Sequence, residues 1–309
     1  MWATVTSVST GSEQIRAGRH RCTTPDGVGI EVYDFGGTGR RDLLMVHATG
    51  FCAEALRPMA RWMPEEFHCW ALDLRAHGRS GRPSDGNLEW SGFAADVATA
   101  IDHLGLVRPD GFGHSCGGAA VLLAEQSRPG TFRSLYCFEP VIFTGTPSGG
   151  PVVDNPMSGA ARRRRTTFPS AAVAFANFSS KPPFDRLDPE ALASYVEGGF
   201  ELVPPDEGGD GEAIRLRCRR DDEAGVYAWS LAHHAFDHLP EVACPVTLAC
   251  GEHTDTFGPE VLELEADRLP VPRVEIVPGM GHFGPLERPA VVAESVTRSI
   301  RASGGTPRP

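Results

Sequence analysis

Short apolar runs bounded by glycine or proline alternate with stretches of helical period along most of this chain, and that alternation limits the fold more than any other feature. The spacing predicts strands over residues 29–35, 42–47, 67–74, 110–114 and 134–138, with helices over 53–63, 90–104 and 117–126 between them. The run Asp42-Leu43-Leu44-Met45-Val46-His47 is apolar at consecutive rather than alternate positions, the mark of a strand covered on both faces. Over 90–104, Phe93, Val97, Ile101 and Leu104 recur at helical spacing. Strand–helix–strand order with buried strands predicts an α/β fold: a mostly parallel central sheet with helices on both faces.

The pattern breaks between about residues 144 and 239, which lean helical, are rich in proline and glycine, and hold no convincing buried strand. It resumes with strands over 245–250 and 274–277 and helices over 258–268 and 289–300. We therefore expect a core formed by 18–143 and 240–302, a helical cap over 144–239 inserted after the sixth strand, and loose ends at 1–17 and 303–309. A cap at that point covers the carboxyl edge of the sheet, where ligands bind in such folds.

Charge narrows the partners. Among 309 residues, 40 acids face 29 bases for a formal net charge of −11, the opposite of a nucleic-acid footprint. Lys181 is the one lysine, and its setting, Ser180-Lys181-Pro182-Pro183, suits neither a phosphate-binding loop nor a Schiff base. The arginine run Arg162–Arg165 reads as a solvated helix face. No apolar run approaches the ~20 residues of a bilayer span, and the first residues lack the pattern of a secretory signal. The 8 cysteines show no Cys-x-x-Cys spacing, so they read as reduced, buried small hydrophobes of a cytoplasmic protein with no metal site.

One pentapeptide carries chemistry. Gly113-His114-Ser115-Cys116-Gly117 falls where a strand meets a helix, which places Ser115 on a sharp turn with flanking glycines that let the two backbones approach. A serine hydroxyl needs a base, and the base needs an orienting acid. Of the 11 histidines, His282 lies on a glycine-rich loop, Pro278 to Leu286, between the last strand and the last helix. Asp255 follows the penultimate strand and is the leading acid; Glu139, in Phe138-Glu139-Pro140 after an earlier strand, is the alternative.

With these landmarks in order, the chain resembles the α/β-hydrolases of the capped, single-chain esterase and lipase type over residues 29–300. His47-Ala48-Thr49-Gly50-Phe51 resembles that family's oxyanion loop, and Asp73 to Ser80 resembles its Asp-x-Arg-Gly-His-Gly-x-Ser loop. Gly281-His282-Phe283 with Pro285-Leu286-Glu287 resembles its histidine loop. The resemblance implies a triad of Ser115, Asp255 and His282 in chain order, and oxyanion donors from the backbone N–H of Cys116 and of Thr49, with Gly50 or Phe51 as fallbacks. It also implies that the Asp73 loop is structural and that Cys116 is not the nucleophile. Ala48 and Ala76 stand where the family usually has glycine, and Ala48 leaves the second oxyanion donor open.

The implied activity is cofactor-free hydrolysis of a carboxylic ester through an acyl-enzyme, on a small, partly apolar substrate. Alternatives are carbon–carbon hydrolysis of aromatic ring-cleavage products, thioester or lactone hydrolysis, and a binding protein that keeps the triad without turnover. A serine at the elbow excludes the branches that attack with a carboxylate.

Overall fold

The computed structural model describes residues 18–145, 148–209 and 211–304. Its main sheet has eight strands in the order β1-β2-β4-β3-β5-β6-β10-β11. These are β1 (Arg19–Thr23), β2 (Gly29–Gly36), β3 (Arg41–Val46), β4 (Phe67–Leu72), β5 (Asp110–His114), β6 (Leu135–Phe138), β10 (Val246–Gly251) and β11 (Pro272–Val277). Strand β2 pairs antiparallel with β1 and β4, and every other neighbouring pair is parallel. Strand β1 escaped the sequence because only Cys22 of its five residues is buried.

Alternate residues of the parallel strands feed two separate cores. Leu44 and Val46 of β3 join one core, which α2 (Ser91–Leu104), α3 (Cys116–Ser127) and α8 (Pro259–Ala266) cover with Phe93, Val97, Ala119, Leu122 and Leu262. Leu43 and Met45 face the other, covered by α1 (Arg57–Ala60) and α10 (Pro289–Ser303) through Met59, Val292, Val296 and Ile300. Helix α2 stops at Gly105, whose φ of +65° lets Leu106 N–H and Gly105 N–H return to the carbonyls of Ile101 and Asp102. Helix α10 runs on through Ser303, the first residue of the expected loose end at 303–309; residues 1–17 and 305–309 lie outside the described residues.

Between β6 and β10 the chain leaves the main sheet, and this insert is not purely helical. It holds α4 (Pro156–Arg162), α5 (Ala171–Ser179), α6 (Pro189–Gly199) and α7 (Arg220–Trp229), and also a three-stranded antiparallel sheet of β7 (Thr167–Phe168), β8 (Phe200–Leu202) and β9 (Ile214–Leu216). Strands of two or three residues are too short to show a period of two, which is why the sequence hid them. The insert's aromatic residues Phe168, Phe178, Tyr195 and Phe200 are buried and continuous with the α10-side core. Phe178 thus packs the insert's interior. All eight cysteines are buried with free thiols, and among the described residues no helix is long and apolar enough to cross a membrane.

Candidate active site

The chain proceeds from β3 outward to β4 and then returns to β5 on the other side of β3, so the sheet order switches between β3 and β5. Loops at the carboxyl ends of those two strands flank a crevice. Ser115 follows β5 and the turn at Thr49 follows β3. Glycine makes the approach possible: a Cβ on Gly117 would lie 2.3 Å from the Val46 carbonyl oxygen, and one on Gly113 would lie 2.4 Å from that of Gly117.

Ser115 itself has φ +56° and ψ −118°, a strained conformation for a residue with a side chain, costing about 1–3 kcal/mol. Its neighbours enforce it. Ser115 N–H donates to Phe138 O at 2.9 Å, and Ser115 O accepts from the amides of Gly118 and Ala119 in α3 and of Val141. Helix α3 opens at Cys116, whose first-turn amide has no acceptor inside the helix. The Cys116 thiol is pushed up to about 12 by burial, against the pull of Thr49 and Gly117, and its Sγ donates weakly to His47 O. It is a packed thiol, in keeping with the sequence expectation.

His282 sits between β11 and α9 (Gly284–Glu287). Its Nδ1 donates to Glu139 Oε2 at 2.7 Å, because a carboxylate only accepts; Nε2 is then the bare nitrogen. Glu139 directly follows β6, is wholly buried, and holds a positive φ of +44°. Its carboxylate also accepts from Gly251 N–H at 3.0 Å and from the Thr254 hydroxyl at 2.7 Å.

Asp255, the expected acid, is not brought to His282. It is exposed, and among the described residues its Oδ1 accepts only from the neighbouring Thr256 hydroxyl. The reason lies in the loop after β10: Thr254 N–H returns to Gly251 O and His253 N–H bonds to Met280 O, which turns Thr254 inward and Asp255 outward. The loop thus supplies donors to the carboxylate of Glu139 in place of a carboxylate of its own.

At the oxyanion loop, Phe51 N–H donates to Ala48 O at 3.1 Å and Gly50 has φ +78°, a type II turn. That bond commits the Phe51 amide and leaves Thr49 and Gly50 as candidate donors. Ala48 needs no positive φ, so the missing glycine does not redirect the loop. His47 braces it: Nδ1 donates to Ala48 O, Nε2 accepts from Leu74 N–H, and burial pushes the ring's pKa down to about 4. The Asp73 loop is likewise a brace. The Asp73 carboxylate accepts from Ala53 N–H, Tyr33 Oη and Arg79 N–H, and Arg75 forks onto Asp96.

The insert brings to this site a side chain from the run that the sequence reads as a solvated face. Arg162, Arg163 and Arg165 are exposed as a solvated run would be, but the Arg164 side chain is only 18% exposed. It donates to Glu223 of α7 and to Tyr195 Oη of α6, and a Cβ on Gly50 would lie 2.8 Å from Glu223 and 3.0 Å from Arg164. Burial works against this guanidinium's charge, yet Tyr195 and Glu223 outweigh it and hold the side chain protonated. Beside it Phe51 packs against Tyr195, Phe184 and Phe283 with centroids 4.9–5.6 Å apart, an aromatic wall reaching to the residue after His282.

Comparison with known proteins agrees with this fold. Over 274 residues the chain is 23% identical to a 2-(acetamidomethylene)succinate hydrolase of Mesorhizobium japonicum, covering 84% of this chain and 88% of that one. A stretch of 100 residues, 32% of this chain and 36% of the other, is 33% identical to a bifunctional esterase/perhydrolase of Acinetobacter calcoaceticus. The fold superposes on a peroxisomal alpha-beta-hydrolase of Saccharomyces cerevisiae with a TM-score of 0.77 at 16% identity, over 96% of this chain and 92% of that one. The sequence profile of the alpha/beta hydrolase family matches residues 43–295, most of the chain, and the protein belongs to that family.

Proposed function

We propose that this hydrolase is a serine esterase that works through an acyl-enzyme, with Glu139 in the acid's role. The observation that carries it is the 2.7 Å bond from His282 Nδ1 to the buried Glu139 carboxylate, on a loop whose His282 carbonyl is bonded by His114, the residue before a serine held at a strained strand–helix turn. His282 Nε2 takes the Ser115 proton as Oγ attacks the ester carbonyl, and Glu139 holds the tautomer and stabilises the imidazolium. The N–H groups of Cys116 and Thr49 receive the oxyanion, with Gly50 the remaining alternative to Thr49. His282 then protonates the leaving alcohol, and a water activated by the same imidazole releases the acid. A fluorophosphonate probe with adduct mapping tests the nucleophile, and chromogenic esters of graded acyl length test the reaction. Labelling at any residue but Ser115 overturns the assignment.

Arg164 favours a second reading, in which the substrate also carries a carboxylate. A protonated guanidinium beside the oxyanion turn suits an acidic substrate, and one relative is named as a hydrolase of a substituted succinate. A higher kcat/KM for a hemisuccinate ester than for the matched neutral butyrate ester supports it; a neutral preference sinks it.

A further inference from the structure

His114, the last residue of β5, is fully buried, and its imidazole lies between the nucleophile strand and the histidine loop. Its Nε2 stands 2.8 Å from the backbone oxygen of His282. A carbonyl oxygen only accepts, so Nε2 carries the hydrogen. Nδ1 is buried without a partner among the described residues, which fixes the neutral tautomer. Burial first, and the nearby His282 second, push protonation well below the usual histidine range. The ring also packs against the His282 imidazole, with centroids 5.1 Å apart, and against the apolar edges of Phe138 at 5.9 Å and Phe283 at 6.1 Å.

We propose that His114 is a positioning residue for the reaction, its imidazole N–H fixing the height of the His282 loop above Ser115. The proposal rests on the serine-hydrolase reading above. His282 has two anchors, each governing a different freedom. Glu139 holds the ring through Nδ1 and so sets its rotation. His114 holds the backbone carbonyl and so sets where the loop stands relative to β5. The next residue of β5's chain is Ser115, locked at its turn, so the tether to the nucleophile is one residue long. Three glycines, Gly279 with φ +69°, Gly281 and Gly284, interrupt the loop; His253 N–H holds it at Met280 O and Glu287 at Gly281 N–H, while the His114 bond ties it to the strand that carries the nucleophile. Packing alone does not call for histidine here, since a phenylalanine would fill the same space between the rings of His282, Phe138 and Phe283; the imidazole adds the donor that the His282 carbonyl uses.

The test compares His114→Phe with His114→Gln, whose side-chain amide can reach the same carbonyl. For His114→Phe we expect kcat to fall by roughly 10–100-fold, the scale of an ångström-size misplacement, with KM little changed and fluorophosphonate labelling of Ser115 slowed. His114→Gln should recover most of the lost kcat. Hydrogen exchange at residues 279–284 should accelerate in His114→Phe and return towards wild type in His114→Gln. Wild-type kcat in His114→Phe, or equal loss in both variants in step with thermal stability, overturns the proposal. Exchange needs no turnover, so a wild-type protein inert to every ester and to the probe refutes the hydrolase reading alone. Unchanged exchange in His114→Phe then overturns the positioning role by itself.

Discussion

Glu139 and Asp255 separate cleanly at the level of single residues. Glu139→Gln keeps the shape but turns one acceptor oxygen into a donating NH2 group and removes the charge that fixes the His282 tautomer, and kcat is expected to fall by roughly 10⁴-fold, as when a triad acid is amidated. Asp255→Asn should leave kcat near wild type, because that side chain is exposed and bonded to Thr256 rather than to His282. Steady-state kinetics on one ester decides between them. Glu265 of α8 makes a different kind of prediction. Both its carboxylate oxygens are buried without a partner among the described residues, and burial raises its pKa to about 9. Between about pH 4.5 and 9 the folded protein therefore keeps a proton that the unfolded chain has released, so stability falls as pH rises through that window. Glu265→Gln should remove that slope, gaining about 3 kcal/mol over wild type at pH 7 and little at pH 4, read from urea unfolding at both. Ala76 holds φ +62°, a position where glycine is at ease, so Ala76→Gly is expected to stabilise by up to about 1 kcal/mol in the same assay.

The elements whose sequence pattern was local were legible in advance. Strands β3, β4, β5, β6 and β10 lie within a residue or two of their expected spans, and β3, β6 and β10 bury largely apolar runs at consecutive positions. The elbow was equally plain: two glycines around a serine at a strand–helix junction encode a close backbone approach, and the approach is there. Gly117→Ala tests the element directly. A methyl group 2.3 Å from the Val46 carbonyl must drive α3 away from β3, at a cost of about 1–3 kcal/mol. Ser115 labelling should slow with it, and a wild-type melting temperature would show that the junction yields freely. The insert's strands, two or three residues each, stayed hidden because their partners are far along the chain: β7 and β8 both pair with β9.

Across the whole molecule, the insert and the sheet meet over the oxyanion turn. Arg164 leaves the arginine run to bind α7 and α6, and Phe51 stacks into the insert's aromatic cluster. Replacing Arg164 with methionine strands the buried Glu223 carboxylate, and a loss of about 3–5 kcal/mol is expected. Adding Glu223→Gln should return part of it, a coupling that a double-mutant unfolding cycle measures; purely additive losses would mean the two side chains act independently. The amino-acid sequence by itself determined the parallel sheet, the break for the insert, the serine at the elbow and the histidine on its glycine-rich loop. Each of these is written in neighbouring residues through period, turn chemistry and backbone freedom. Only the tertiary structure decided which acid meets that histidine and which arginine turns inward. Glu139 and Asp255 both follow strands, and Arg164 is one of four alike. What separates them is the path of distant loops: Thr254 turned in by Gly251 and Met280, and Glu223 waiting on α7.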